Sequence, residues 1–153
     1  MSEPKVPQIR GFPHSEKYFV NEYRLRDWLS YELRADGEYW LRDPHGLGEL
    51  PPGSIVLFYI KNKIVGEAIV EQSPKEIEQD HRITDSIPEA FTQYVLFVPE
   101  SIRAYPDRCF ISREEFREMT ERRKDLSHHF EITPQEYLLL MKRLAEKSSA
   151  MSR

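Results

Sequence analysis

The sequence has a single cysteine, Cys109, so it forms no disulfide within the chain and no cysteine-based zinc site. A lone thiol suits a reducing compartment, and the cytoplasm is the expected location. No stretch reaches the roughly 18 apolar residues of a membrane-spanning helix. Met1-Ser2-Glu3-Pro4-Lys5 also lacks the apolar core of a signal peptide, so a membrane partner is not expected. Positive charge is short as well: 22 Lys and Arg stand against 26 Asp and Glu, for a formal net charge of -4. Non-specific coating of nucleic acid needs many cations on phosphate, so any such contact here must be local.

The common catalytic signatures are missing too. His14, His45, His81, His128 and His129 include no His-x-x-x-His pair on a predicted helix, so no metal is expected. His128-His129 reads as a solvated loop pair. There is no Gly-Lys-Ser/Thr phosphate loop, no dinucleotide fingerprint and no Gly-x-Ser-x-Gly elbow, so no cofactor is expected and nucleotide or ester hydrolysis is disfavoured. Cys109 has Arg108 and Arg113 near it in sequence, which suits a nucleophile, but a small buried residue is the simpler reading. Glu114-Glu115 and Glu121-Arg122-Arg123-Lys124 read as solvated helix faces.

What is present is a foldable chain of 153 residues, 39% hydrophobic and 31% charged, long enough to bury one core without staples. Residues 1–16, with Pro4, Pro7, Gly11 and Pro13, read as an extended arm. Residues 17–146 read as a single domain. In it, Lys17-Tyr18-Phe19-Val20 is a short strand, and Asn21 caps a helix with Leu25, Trp28, Leu29 and Leu33 at helical spacing. Gly37 to Pro52 is dense in turn residues, including Asp43-Pro44, Gly46 and Gly48, and reads as a long loop carrying Tyr39 and Trp40.

Ser54–Ile60 and Ile64–Glu71 form the strongest hairpin signal, and the first run, apolar on both faces, reads as a central strand. Ser73-Pro74-Lys75-Glu76 matches a capping box and predicts a turn of helix, after which Glu78 to Glu89 is polar and turn-prone. Gln93 to Pro99 is a second buried-type strand. Ser112-Arg113-Glu114-Glu115 and Thr133-Pro134-Gln135-Glu136 open two further helices. The last, over 133–146, is amphipathic through Tyr137, Leu140, Met141 and Leu144, and 147–153 reads as a frayed tail. The order predicts an α+β fold: a small mixed sheet curled around a core with helices packed outside.

The aromatic set Tyr23, Trp28, Tyr39, Trp40, Phe58 and Tyr59 lies in or beside the first helix, the long loop and the hairpin. Each ring suits a core. Together they also suit a pocket, since planar rings hold a flat base by stacking while a polar group reads its edge.

The run Lys17 to Asn21 before a helix with Trp28, then Pro52-Gly53-Ser54-Ile55-Val56-Leu57-Phe58-Tyr59-Ile60 and Ile64-Val65-Gly66-Glu67-Ala68, resembles the PUA-like superfamily, its EVE branch most of all. The related YTH and ASCH branches are similar, as is the later strand through Tyr94-Val95-Leu96-Phe97-Val98-Pro99. The resemblance implies a partly open β-barrel whose pocket accepts a modified base in RNA or DNA without catalysis. Carried onto this chain, it assigns base contact to Asn21, Trp28, Trp40, Phe58 and Tyr59, and Tyr23 of the aromatic set is expected to join them. Arg24, Arg26, Lys61 and Lys63 flank the implied mouth as phosphate contacts. A monomer or weak dimer is expected. The alternatives are an ASCH-like small-molecule or nucleoside enzyme using the same cleft, or a protein-interaction domain that docks through its last helix.

Overall fold

The two apolar runs on either side of Lys61-Asn62 become strands β3 (Ile55–Ile60) and β4 (Lys63–Glu76). Lys61 and Asn62 have φ of 48° and 63°, the double left-handed geometry of a tight hairpin turn. The Tyr59 hydroxyl donates to Asn62 Oδ1 at 3.1 Å and fastens that turn. The computed structural model describes residues 5–42, 47, 49–121, 126 and 129–151. His45, His128, the Arg122-Arg123-Lys124 run and the turn residues Asp43, Pro44, Gly46 and Gly48 lie outside them.

β3 and β4 are the centre of an open, mixed sheet of seven strands. Its main path runs β1 (Ile9–Pro13), β3, β4, β5 (Gln93–Phe97), β2 (Glu38–Leu41), and the short β6 (Arg103–Ala104) and β7 (Ile111–Ser112) also pair with β4. β1 is parallel to β3; the other pairings are antiparallel. β4 pairs with β3 along its first half and with β5 along its second, with register shifts between Val70 and Gln72 and between Gln72 and Lys75. Such irregularities bend a strand and increase its twist, which lets one strand serve two parts of the sheet.

β3 is buried on both faces, as its composition predicts. Val56, Phe58 and Ile60 enter one apolar cluster with Leu25, Leu29 and Leu33. Leu57 and Tyr59 enter a second with Phe116, Phe130, Leu140 and Leu144. The period of two along the strand thus separates neighbouring aromatics onto opposite faces.

The helices that cover the sheet are α1 (Glu22–Trp28), continued through a π-helical stretch, Leu29–Leu33, into α2 (Arg34–Asp36), then α3 (Gln79–Thr84), α4 (Arg113–Thr120) and α5 (Pro134–Met151). The predicted caps at Ser112 and Thr133 are formed, as is that at Asn21. Ser112 Oγ accepts from Glu115 N at 3.1 Å. Thr133 Oγ1 accepts from Glu136 N at 3.1 Å while Glu136 Oε1 accepts from Thr133 N at 2.9 Å, the reciprocal pairing of a capping box. On α5, Leu140 and Leu144 are buried, and Tyr137 and Met141 pack beside them. Tyr137 donates to Glu67 Oε2 at 2.6 Å, and Arg103 and Tyr105 donate to Glu67 Oε1 at 2.7 and 3.0 Å, so this buried carboxylate on β4 is fully engaged. Among the described residues no helix is long and apolar enough to cross a membrane.

Several expectations give way. The segment read as an extended arm contains β1, in register with β3 from Ile9 opposite Ile55 to Pro13 opposite Tyr59. At the end of the sheet path it tolerates its proline. The predicted strand Lys17-Tyr18-Phe19-Val20 is instead a turn, in which Tyr18 N and Phe19 N both donate to Ser15 O at 3.1 Å. Tyr39 and Trp40 sit in strand β2 rather than a loop; Gly37, at φ 75°, ends α2 and hands the chain to this strand. Ser73-Pro74-Lys75-Glu76 does not start a helix, because pairing of Lys75 and Glu76 with Tyr94 and Gln93 holds it in β4. The turn-prone stretch after it holds α3. α5 continues past Lys147 to Met151; Lys147 donates to Phe110 O at 3.0 Å and to Glu115 at 2.7 Å, which ties down the turn expected to fray.

Candidate functional site

A cavity of about 700 Å³ opens where the turn after β1, the α1–α2 helical run and β2 meet. Its lining includes His14, Tyr18, Phe19, Trp28, Tyr39, Trp40 and Phe91, with Glu32, Asp36, Glu38 and Arg42 as charged groups. The two tryptophans of the chain, Trp28 and Trp40, therefore both line it. Trp28 lies edge-on to Phe19 and Tyr39, with ring centroids 5.5 and 5.9 Å away, and Trp40 lies 5.7 Å from Phe91. Edge and tilted contacts of this kind hold rings in fixed orientations.

The polar centre of the cavity is a hydrogen-bonded chain. β1 delivers His14 to β3, where Tyr59 O accepts from His14 N at 2.7 Å and lies 3.3 Å from His14 Nδ1. A carbonyl can only accept, so Nδ1 carries the ring proton and Nε2 is left as an acceptor. The Tyr39 hydroxyl, 2.8 Å away, donates to it. Burial pushes His14 down to about 4, against the smaller upward pull of its bond to Tyr59 O. Burial also pushes the Tyr39 hydroxyl well above its ordinary value. Neither group changes protonation near neutrality, whereas a general acid or base works best when its pKa lies near the operating pH. The pair is suited to binding.

His14 has a consequence for stability. Because its folded pKa lies below the ordinary 6.5, the unfolded chain takes up a proton that the folded chain refuses between about pH 6.5 and 4. Its contribution is complete above that window and is lost as pH falls through it. Denaturant midpoints at pH 7.5 and pH 4.5 should fall further for the native protein than for His14→Asn. An identical fall in both would show that His14 is not the group refusing the proton.

Of the residues assigned to base contact from the sequence, Trp28 and Trp40 line this cavity and the other four do not. Phe58 is fully buried behind it, its ring 5.7 Å from His14 and 6.0 Å from Tyr39. Tyr59 points into the second cluster, edge-on to Phe130, and contributes through its backbone carbonyl. Tyr23 is 45% exposed and tilts against Phe110. Asn21 caps α1, its Oδ1 accepting from Tyr23 N and Arg24 N at 3.0 Å each, so its acceptor is committed to the helix. Asn21→Ala should therefore cost about 1 kcal/mol of stability and leave nucleoside affinity unchanged, read by denaturation and titration of the same sample. Lost affinity at unchanged stability would restore Asn21 as an edge reader.

The four assigned cations do not line the cavity either. Lys63 pairs with Glu22 at 3.0 Å, and Lys61 is exposed on the hairpin turn. Arg24 is exposed and Arg26 half-buried on α1. Among the described lining residues the cation is Arg42, whose guanidinium lies 5.0 Å above the Tyr18 ring and 5.9 Å above Phe91.

The sequence reading missed His14, Tyr39's hydroxyl, Phe91, Arg42 and the acidic groups, which come from separate segments and share no local motif. It also missed a cluster beside the cavity. His81 Nε2 lies 2.5 Å from Glu38 Oε1 and 3.1 Å from Asp85 Oδ2, and the three ligand atoms fall within 4.8 Å of one another. One imidazole and two carboxylates could hold a divalent cation. Nε2 faces both carboxylates, so hydrogen bonding alone connects the three side chains. Glu38 Oε2 also lies 3.3 Å from Trp40 Nε1, which connects this network to the cavity wall. Cys109 is buried in the second cluster and does not line the cavity.

No family model matches the chain, and no curated protein matches it. Solved structures do. A hypothetical protein from Leishmania major is similar with a TM-score of 0.61 at 14% identity, over 94% of this chain and 98% of that one. The YTH domain of the Zygosaccharomyces rouxii MRB1 protein, in complex with N6-methyladenosine RNA, gives 0.56 at 11% identity over 94% and 90%. An ASCH protein from Zymomonas mobilis gives 0.53 at 10% identity over 88% and 94%. At these identities the likeness is one of fold. The chain has the α+β architecture of ASCH and YTH domains, which are PUA-like folds.

Proposed function

We propose that this protein is a non-catalytic reader that holds a single modified nucleobase in the cavity lined by Trp28, Tyr39 and Trp40. The observation that carries the reading is the pairing of aromatic walls with a hydrogen-bonded centre that does not titrate near neutrality. Rings stack on any flat base, at about 1 to 3 kcal/mol each, and fixed polar atoms select among bases. The fold neighbour in complex with N6-methyladenosine RNA supports an RNA partner. Within the PUA-like group we place the chain with the EVE branch, on its Gly53 to Tyr59 run and the Val65-Gly66 pair of the returning strand. The ASCH neighbours keep an enzyme as the second reading, and His14 with Tyr39 is the pair it would use. A histidine held near 4 is a weak base, which favours the reader. We place the reader in the cytoplasm on the strength of its single buried cysteine, and expect a monomer or weak dimer.

Both tryptophans line the cavity, so intrinsic tryptophan fluorescence reports on it directly. An RNA oligonucleotide with one modified base should quench that signal at lower concentration than its unmodified twin. The slope of log affinity against log salt should be shallow, at about 0.7 per neutralised phosphate, because among the described lining residues Arg42 alone is a lysine or arginine. Equal quenching by both strands, or a change in the mass of the modified base, would favour the alternatives.

A further inference from the structure

Resting on the reader proposal, we infer that the cavity selects a nucleobase that carries a positive charge and an N–H donor, such as a purine or pyrimidine methylated on a ring nitrogen of its pairing edge. Three independent features of the lining lead there.

The first is hydrogen-bond polarity. Tyr39 donates its hydroxyl proton to His14 Nε2, and His14 Nδ1 is turned to Tyr59 O, so the tyrosine oxygen has acceptor capacity left and both histidine nitrogens are in use. The Trp40 indole N–H faces Glu38 and the Ser15 Oγ accepts from Lys17 N. Glu32, Asp36 and Glu38 bring carboxylate oxygens. The lining groups whose bonding is fixed thus offer acceptors, and a ligand completes them by donating.

The second is charge. Among the described lining residues three carboxylates, Glu32, Asp36 and Glu38, stand against one guanidinium, Arg42. Glu38 is shared with His81 and Trp40, and Asp36 Oδ1 also accepts from Glu38 N at 2.9 Å. Glu32 and Asp36 are exposed carboxylates at the rim, so the mouth favours a cation.

The third is that two rings of the lining already carry a cation. Arg42 lies over Tyr18 and Phe91, the arrangement in which a delocalised positive charge is drawn to a ring face. A ring-methylated base offers the same flat, delocalised charge. Its methyl group also blocks Watson–Crick pairing, so the base is already unpaired and costs little to extrude.

1-Methyladenosine and N6-methyladenosine test this with one composition and two charges: they are isomers, the first cationic and the second neutral at pH 7. Titrated into the full chain and read by tryptophan fluorescence, 1-methyladenosine should bind about tenfold more tightly, the size of a cation–ring contribution in a partly desolvated site. Glu32→Gln/Asp36→Asn, which changes two exposed residues, should narrow that ratio several-fold, and raised salt should narrow it further. If N6-methyladenosine binds as tightly or more tightly, the charge inference is overturned while the reader proposal stands. If neither isomer nor any other methylated nucleoside binds, both are overturned.

Discussion

Trp28→Ala/Trp40→Ala should lose at least about thirtyfold in affinity for a modified nucleoside, because two stacking faces worth about 1 to 3 kcal/mol each disappear together. The doubly substituted chain has no tryptophan, so binding must be read by calorimetry or equilibrium dialysis. The single variants should separate the roles of the two rings. Trp28 packs against the cluster of Leu25, Leu29 and Phe58, so its loss weakens the fold as well as the site. Trp40 is half-buried on β2, at the end of the sheet path, and Trp40→Ala should cost clearly less than the roughly 3 to 5 kcal/mol of a core tryptophan. Unchanged affinity in the double variant, with the fold intact by circular dichroism, would remove the cavity from the functional account.

Gly11→Ala should be among the most damaging small substitutions in the chain. A Cβ on Gly11 would stand inside the ring of Phe130, whose backbone oxygen accepts from Gly11 N at 2.7 Å. Phe130 packs edge-on to Tyr59 and is 6% exposed, so the ring cannot move aside without opening the second cluster. The expected cost lies between that of overpacking and that of losing a buried phenylalanine, about 3 kcal/mol. β1 ends one residue before His14, so a displaced strand would also shift the His14–Tyr39 pair. Denaturant unfolding of Gly11→Ala, Phe130→Ala and the double variant checks this. Once the ring is gone the added methyl has little left to strike, so the second substitution should cost much less than it does alone. Strictly additive costs would show that the two residues do not meet.

The parts of this structure that could be read in the sequence are those fixed by neighbours in the chain. The apolar run from Ile55 to Ile60 announced a central strand, and the boxes at Ser112 and Thr133 announced two helices, because a cap and an alternation are local. The same local logic misled at Ser73, where a capping pattern was overruled by pairing of β4 with β5. It also misled over Ile9–Pro13 and Glu38–Leu41, where prolines and glycines within the first and around the second suggested coil although each pairs with one strand of the main path. Trp28 and Trp40 line the cavity, whereas His14 meeting Tyr39 and Glu38 meeting His81 depend on the path of the whole chain and no local motif marks them. Asn21 was legible as a helix cap because that task is local, and its Oδ1 performs it.

The most direct measurement is equilibrium dialysis of the full chain against a mixture of modified and unmodified ribonucleosides, with the retained fraction identified by mass spectrometry. The account predicts that one or a few modified nucleosides are enriched by the native protein, that their masses are unchanged after prolonged incubation, and that Trp28→Ala/Trp40→Ala abolishes the enrichment. Retention of no nucleoside, equal retention by the variant, or the appearance of a product mass would contradict it.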